Sequence, residues 1–75
     1  MFKKNKDGMD TTKLIDTILS ALQMENEHYT IQYNDYDFYV YWKHHVVRIK
    51  GECIWFDKKK QHSVYNVVNC IKAGN

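Results

Sequence analysis

The fold is decided by residues 29–56, which read YTIQYNDYDFYVYWKHHVVRIKGECIWF. Apolar and polar side chains alternate along most of this stretch, which is typical of strands that bury one face. Polar segments interrupt the alternation at residues 34–35, at residues 43–45 and at residues 51–52. These interruptions predict successive hairpins, and hence an antiparallel meander sheet.

The turn between the first and second predicted strands determines which of their residues pair. Residues 34 and 35 are Asn and Asp, and both tolerate the positive φ angles of a two-residue hairpin turn. Such a turn places Ile31 opposite Phe38 and Tyr29 opposite Val40, so apolar side chains share one face. A two-residue loop at residues 51–52 likewise pairs inward-facing side chains, here of the third and fourth strands.

The alternation therefore divides the side chains between two faces of the sheet. The predicted inward side chains are Tyr29, Ile31, Tyr33, Phe38, Val40, Trp42, Val47, Ile49, Ile54 and Phe56. The predicted outward side chains are Thr30, Gln32, Tyr39, Tyr41, Lys43, Arg48, Lys50, Cys53 and Trp55. The last strand is short, and an irregular segment there is left open.

Two helices flank the meander. The first helix is predicted from an Asp10 N-cap to about Met24, because apolar side chains recur there at helical spacing: Leu14, Ile15, Ile18, Leu19 and Leu22. The second is predicted from Val64, Val67, Val68 and Ile71. Its N-cap is Asp57 or Ser63, and Gly74 lies where a C-terminal glycine is favoured. Each helix has one apolar stripe, so the prediction is an α+β domain, α-β-β-β-(β)-α, with both helices on one sheet face.

Length and composition limit the function classes. A chain of 75 residues, 44% hydrophobic and 15% aromatic, fits one folded domain with a thin core. No stretch has the roughly 18 apolar residues of a membrane span. Residues 1–8 lack the apolar centre of a signal peptide, and we predict a flexible basic arm there, followed by a single domain over residues 9–75. Two cysteines without a secretory context indicate reduced thiols and a cytoplasmic location.

The formal net charge of +2 hides an uneven distribution. Residues 9–42 carry −5, from six carboxylates and one lysine, whereas residues 43–62 carry +4, from six bases and two carboxylates. Successive turns of a meander alternate between the two ends of the sheet. We therefore expect the four histidines and four of the lysines at one end, and we expect Lys58–Lys60 to lead into the second helix, where lysines and free N–H groups bind anions.

Aromatic rings interleaved with basic side chains on the outward face predict binding of nucleic acid, through stacking and phosphate contacts. The alternative is an interaction protein, for example a phage or mobile-element accessory or inhibitor protein, in which the same face docks on a protein or forms a homodimer. The candidate residues in either case are Tyr39, Tyr41, Lys43, His44, His45, Arg48, Lys50, Trp55, Lys58, Lys59, Lys60 and His62.

The element order, with Lys58 and Lys59 ahead of the last helix, resembles the double-stranded RNA-binding domain. That resemblance implies binding of duplex RNA, but the family's Gly-Pro-x-His loop is replaced here by Asn34 and Asp35. The layout is also similar to that of small ribonuclease toxins of the HicA kind, whose Gly-Ser-His strand motif is missing.

Catalysis and metal binding receive little support from the sequence. There is no Ser/His/Asp or Cys/His signature and no glycine-rich phosphate loop. Cys53 and Cys70 are far apart, no metal-ligand spacing occurs, and His44 and His45 would point to opposite faces of a strand. We therefore predict a binding domain that is not an enzyme and holds no metal or cofactor.

Overall fold

A computed structural model describes residues 10–74. The helices are α1 (Thr11–Met24) and α2 (Val64–Ala73). The strands are β1 (Thr30–Asn34), β2 (Asp37–Trp42), β3 (His45–Lys50), β4 (Cys53–Phe56) and β5 (Lys59–Gln61). They form one antiparallel sheet in the order β1-β2-β3-β4-β5. The predicted α+β meander is confirmed, β4 is regular, and a fifth strand is added. The predicted arm, residues 1–8, lies outside the described residues.

The helix ends follow the predicted capping chemistry. The Asp10 carboxylate accepts a hydrogen bond from the Lys13 backbone N–H at 3.0 Å, which satisfies a free N–H of the first turn. Ser63, not Asp57, caps α2, because its hydroxyl accepts from the Tyr65 N–H at 3.1 Å. Gly74 ends α2 with φ of 81°, a conformation that favours glycine. Neither helix is long and apolar enough to cross a membrane within residues 10–74.

The core lies between the helices and one face of the sheet. The side chains with less than 2% exposure are Trp42, Ile18, Leu22, Ile49, Ile71, Val40, Val47 and Val67. The indole N–H of Trp42 donates to Glu27 Oε1 at 2.9 Å, so the largest buried ring also has its polar atom satisfied. This core confirms the inward positions predicted for β2, β3 and most of β4.

Both helices run in the same direction along the sheet. The Thr11 hydroxyl, at the start of α1, donates to the Gly51 carbonyl oxygen at 2.6 Å. At the opposite end, Lys43 Nζ donates to the Gly74 carbonyl oxygen at 2.9 Å, where α2 ends. The helix N-termini therefore share one end of the molecule with the turn that holds Glu52, and the helix C-termini share the other with Lys43. Helix dipoles favour this placement of charge, which gives part of the charge separation a structural reason.

The β1–β2 register differs from the prediction by one turn position. Ile31 pairs with Val40 and Tyr33 with Phe38, so the loop is Asp35-Tyr36. Neither loop residue has positive φ, hence the preference of Asn for positive φ did not select the turn. The shift moves each partner by two residues and keeps every side chain on its predicted face. The predicted β3–β4 register is confirmed, with Val47 opposite Phe56 and Ile49 opposite Ile54.

The helices leave β1 uncovered. Ile31 is 48% exposed and Tyr33 is 73% exposed, so the prediction that Tyr33 belongs to the core is wrong. The reason is geometric. Helix α1 contacts β3 and α2 contacts β5, and packed helices about 8–10 Å apart span about two strand spacings of 4.8 Å. Strand β1 lies two strands beyond α1, where a third helix would be needed to cover it.

The segment that precedes α2 is a β-hairpin. Asp57 and Lys58 have φ angles of 52° and 75°, as the two central residues of a type I′ turn require. Strand β5 then returns to the opposite end of the sheet, where His62 and the start of α2 lie. The prediction that all four histidines meet at one end is therefore wrong, and Lys58–Lys60 do not form the N-terminus of α2.

Candidate functional site

One row of outward side chains crosses all five strands. Successive register pairs join Gln32 to Tyr39, Tyr39 to Arg48, Arg48 to Trp55 and Trp55 to Lys60. Directly paired side chains on one face of a sheet lie about 5 Å apart. The row therefore alternates aromatic rings with basic groups from the middle of the sheet to the β5 edge. We call it the outer row.

Aromatic rings of the outer face are held in place by their neighbours. The rings of Tyr39 and Tyr41 stack with centroids 6.2 Å apart and planes inclined by 16°. The Tyr41 hydroxyl donates to Gln32 Oε1 at 3.0 Å. Tyr41 is 40% exposed and Tyr39 is half-buried. The two rings thus offer a fixed aromatic surface, because their orientations are set before any ligand arrives.

Arg48 is engaged on two sides. Its guanidinium lies 4.7 Å from the centre of the Trp55 ring, a cation–π geometry. Its Nε donates to Asp37 Oδ1 at 2.9 Å, with the arginine side chain 37% exposed and the aspartate 23% exposed. The carboxylate offsets much of the positive charge of Arg48. We conclude that Arg48 orients the Trp55 ring, and that the net positive charge of the face comes from other residues.

A cavity of about 330 Å³ opens on this face. Its walls are formed by Tyr39, Val46, Arg48, Trp55 and Lys58. Lys58 belongs to the β4–β5 turn and reaches the cavity edge from there. Cavities that hold small ligands start at about 300 Å³, so the space suits one planar ring beside a cation.

Three lysines supply positive charge on the outward side of the sheet, and one of them, Lys58, lines the cavity. Lys50, Lys58 and Lys60 are exposed, and no carboxylate of residues 10–74 forms an ion pair with any of them. Lys60 and Lys50 project from the outward face of β5 and β3, because they pair with Trp55 and Cys53. The face therefore combines stacked rings with three free ammonium groups.

His45 lies on the helix side of the sheet. It pairs with Trp42 across β2 and β3, and its ring lies 5.4 Å from Trp42, 4.9 Å from Phe56 and 4.6 Å from His44. Its Nδ1 lies 2.6 Å from Asp57 Oδ2. The expectation that the two histidines point to opposite faces is wrong, because His44 lies in the turn before β3 and its ring packs on His45.

Asp57 ties two hairpins together. Its second carboxylate oxygen accepts from the Val46 backbone N–H at 2.9 Å. Desolvation raises the pKa of Asp57, but the Val46 hydrogen bond, the His45 hydrogen bond and the charges of His45 and His44 outweigh it and lower the pKa below its ordinary value of 3.8. Asp57 is therefore a structural carboxylate, and it fixes the turn that carries Lys58.

The structure brings together seven of the twelve predicted candidates on the outward side of the sheet. These are Tyr39, Tyr41, Arg48, Lys50, Trp55, Lys58 and Lys60. The other five lie elsewhere. Lys43 and His44 occupy the β2–β3 turn, His45 packs under the sheet end, and His62 lies at the far end before α2. Lys59 pairs with Phe56, whose side chain packs against the core, so Lys59 is on the helix side.

Two members of the site were not identified as such from the sequence. Asp37 neutralises Arg48, and the signal for it is its diagonal position, two residues before the Arg48 partner Tyr39. Gln32 was placed on the outward face, but its hydrogen bond to Tyr41 depends on the corrected β1–β2 register.

Within residues 10–74, no group of three or more His, Cys, Asp or Glu side chains is arranged to hold a metal ion. Cys53 and Cys70 are free and half-buried. Comparisons of the chain with protein-family models, with curated proteins and with solved structures give no match.

Proposed function

We propose that the outer face binds single-stranded nucleic acid, without catalysing a reaction. The observation that carries this proposal is the aromatic cavity bordered by Lys58, with Lys50 and Lys60 exposed on the same face of the sheet. Bases stack on aromatic rings irrespective of their sequence, and ammonium groups contact the backbone between them. Tyr39, Tyr41 and Trp55 would stack with bases, and Lys50, Lys58 and Lys60 would contact phosphates.

The backbone of Lys58 supports this role. A φ of 75° is unfavourable for a residue with a Cβ atom, and glycine is the residue preferred at the second position of a type I′ turn. Strained backbone conformations are concentrated at functional sites. A lysine at a position that favours glycine agrees with a requirement for its side chain at the cavity edge.

Salt dependence tests the proposal. For single strands the logarithm of the binding constant falls by about 0.7 per phosphate contact for each decade of salt. Three lysine contacts predict a slope of about −2, so a fourfold rise in salt weakens binding about 20-fold. The measurement is fluorescence anisotropy of labelled DNA and RNA oligonucleotides, single-stranded and duplex. Absence of salt-sensitive binding at low ionic strength refutes the proposal, and a preference for duplex refutes its single-strand form.

Two neighbouring lysines provide a matched pair of variants. Lys60 projects from the outward face, whereas Lys59 pairs with Phe56 on the opposite face of the same strand. We expect Lys60→Ala to weaken binding and to reduce the salt slope by about 0.7. Lys59→Ala removes the same charge from the same strand and should leave the slope unchanged. Equal effects of both substitutions would indicate that binding depends on the overall charge of the protein and not on the outward face of the sheet.

The stacking contribution has its own control. Trp55→Ala removes a ring from the cavity wall, and the loss of one stacked base costs about 1–3 kcal/mol. Tyr65, 54% exposed on α2, is an aromatic residue on another surface, and Tyr65→Ala should leave affinity unchanged. Thermal unfolding of each variant checks that the fold is intact.

A protein partner is the second candidate for this face. Tyr39, Arg48 and Trp55 lie consecutively in the outer row, and tyrosine, arginine and tryptophan are the residue types that dominate interface energetics. A buried protein contact of this kind depends less on salt than phosphate binding does. Weak salt dependence together with a large loss on Trp55→Ala in partner capture would favour it.

A further inference from the structure

The two edges of the sheet differ in the features that prevent pairing with other chains. β5 is three residues long and carries two lysines, Lys59 and Lys60, and short, charged edge strands resist association. β1, with the sequence TIQYN, has no charged residue, and all five of its residues are exposed. The helices do not cover its inner face. β1 is thus an open edge strand that pairs with a further strand at little cost.

The hairpin geometry determines which backbone groups of β1 are free. Asn34 and Asp37 flank the two-residue loop and form a hydrogen-bonded pair, and such pairs alternate along an antiparallel ladder. Thr30, Gln32 and Asn34 therefore direct their N–H and C=O groups toward β2. Ile31 and Tyr33 direct theirs away from the sheet, where no other strand of residues 10–74 meets them.

We infer that β1 pairs with β1 of a second copy of this chain, antiparallel about a two-fold axis at Gln32. In this register Ile31 of one protomer faces Tyr33 of its partner, and the reverse pair is equivalent, as an isologous interface requires. The free backbone groups of Ile31 and Tyr33 then meet each other. Thr30 faces Asn34 of the partner subunit, and because β1 has no charged residue, the pairing places no like charges opposite each other.

The side chains of the inner face give this pairing its apolar contact. Ile31, Tyr33 and Tyr36 are 48%, 73% and 82% exposed, and Tyr33 and Tyr36 border an open groove of about 320 Å³ beside the start of α1. Aromatic side chains bury about 150–250 Å² each, so the side chains contribute roughly 400 Å² per protomer. The two protomers together bury about 800 Å² of side-chain surface, below the roughly 1,200–2,000 Å² of stable specific interfaces, so we expect a weak dimer that dissociates on dilution.

The pairing leaves the outward face free. The outer rows of the two protomers become continuous through the two Gln32 side chains, with Lys60 of each protomer at the far ends. One consequence, which rests on the proposed function, is a single binding surface across both protomers. The dimer itself depends only on β1.

Disulfide trapping tests the register. Gln32→Cys places two thiols at a non-hydrogen-bonded pair, where Cα atoms lie about 4.5 Å apart, within the range of a disulfide. Thr30→Cys is the matched control, because its two copies lie about 13 Å apart along the strands. Cys53 and Cys70 are replaced by alanine in both proteins. In a glutathione redox buffer we expect Gln32→Cys to form the intermolecular disulfide and Thr30→Cys, which still dimerises, to remain without a cross-link. Equal cross-linking, or none, overturns the inference.

Sedimentation velocity over a range of concentrations, without nucleic acid, measures the dimer directly. Wild type should show a concentration-dependent monomer–dimer equilibrium. Tyr33→Lys should be a folded monomer, because Tyr33 is largely exposed, whereas Thr30→Lys, on the outward face, should still dimerise. A wild-type monomer at all concentrations overturns the inference. Protection of the Ile31 and Tyr33 amides from hydrogen exchange in that monomer would show that another part of the chain covers β1. The salt titration with oligonucleotides is independent of this result.

Discussion

Asp57→Ala should be among the most destabilising substitutions of an exposed residue in this domain. The change removes the acceptor of the Val46 N–H, at 2.9 Å, and a hydrogen bond to a charged group contributes about 1.5 kcal/mol. It also removes the His45 contact, which partial exposure limits to under about 1 kcal/mol. Alanine at φ of 52° costs about 1 kcal/mol more. The expected loss is about 3 kcal/mol.

Asp57→Asn separates these contributions. Asparagine keeps an oxygen acceptor for the Val46 N–H and tolerates positive φ, but it loses the negative charge beside His45. We expect a loss below about 1 kcal/mol. For a domain of this size 1 kcal/mol corresponds to about 4–8 °C in Tm, so Asp57→Ala should lower Tm by about 12–24 °C and Asp57→Asn by a few degrees.

The pH dependence gives the sign of the charge effect. The pKa of Asp57 is lower in the folded state than its ordinary value of 3.8. The carboxylate therefore stabilises the fold fully above that value, and this stability is lost as pH falls through the lower, folded-state pKa. The stability difference between wild type and Asp57→Asn should shrink as the pH falls below about 4.

Thermal and urea unfolding followed by circular dichroism, from pH 7 down to acid, provide the assay. Asp35→Ala, in the exposed β1–β2 turn, is the control and should change stability by less than about 0.5 kcal/mol. If Asp57→Ala and Asp57→Asn are equally destabilised, the backbone hydrogen bond does not contribute as argued. If the pH dependence is the same in wild type and Asp57→Asn, the charge contribution is refuted.

Three further substitutions test other parts of the structure. Lys58→Gly should raise the free energy of unfolding by about 0.5–1 kcal/mol, because glycine suits the type I′ turn, and should weaken oligonucleotide binding. If both stability and binding increase, Lys58 does not contribute to the site. Leu22→Ala, at a fully buried position, should cost about 2–5 kcal/mol of unfolding free energy. Met24→Ala, at 75% exposure, should cost under about 0.5 kcal/mol. Similar losses for the two variants in urea unfolding would contradict the described core. Gly74→Ala should cost about 1 kcal/mol of unfolding free energy from φ alone, because space for a Cβ is open there, and a neutral effect would contradict the left-handed cap.

The central strands could be predicted because burial and alternation agree there. Val40, Val47 and Ile49 are buried between neighbours that point outward. A shift of two residues in one partner leaves all faces unchanged, so the alternation cannot distinguish the β1–β2 register seen here from the predicted one. The turn must decide it, and in the observed turn, Asp35-Tyr36, neither residue adopts the positive φ on which the prediction was based.

Strand β5 could not be predicted from hydrophobicity, because residues 59–61 contain no apolar side chain. The strand is specified by the turn before it, in which Lys58 takes the place of the usual glycine. The alternation of apolar and polar residues does not reveal that β1 is exposed either, since Ile31 and Tyr33 alternate with polar residues as buried side chains do. Their exposure depends on where the two helices rest, a three-dimensional property of the whole sheet.

Alternation along the strands also explains which part of the candidate site could be predicted. Tyr39, Arg48 and Trp55 follow from alternation within β2, β3 and β4. The cavity depends on Lys58, whose direction is set by the unpredicted turn. His62 was grouped with the site because β5 was missing from the predicted topology, and the additional strand carries the chain back to the opposite end of the sheet.

The meander has a consequence for the order in which the domain assembles. Each strand pairs with its neighbours in sequence, so the hairpins are local and form quickly. α1, however, precedes the sheet and α2 follows it, and the two pack on each other. During synthesis the apolar stripe of α1 leaves the ribosome before β3 and α2 exist to cover it. Stable packing of the first helix therefore waits for the segment synthesised after the whole sheet.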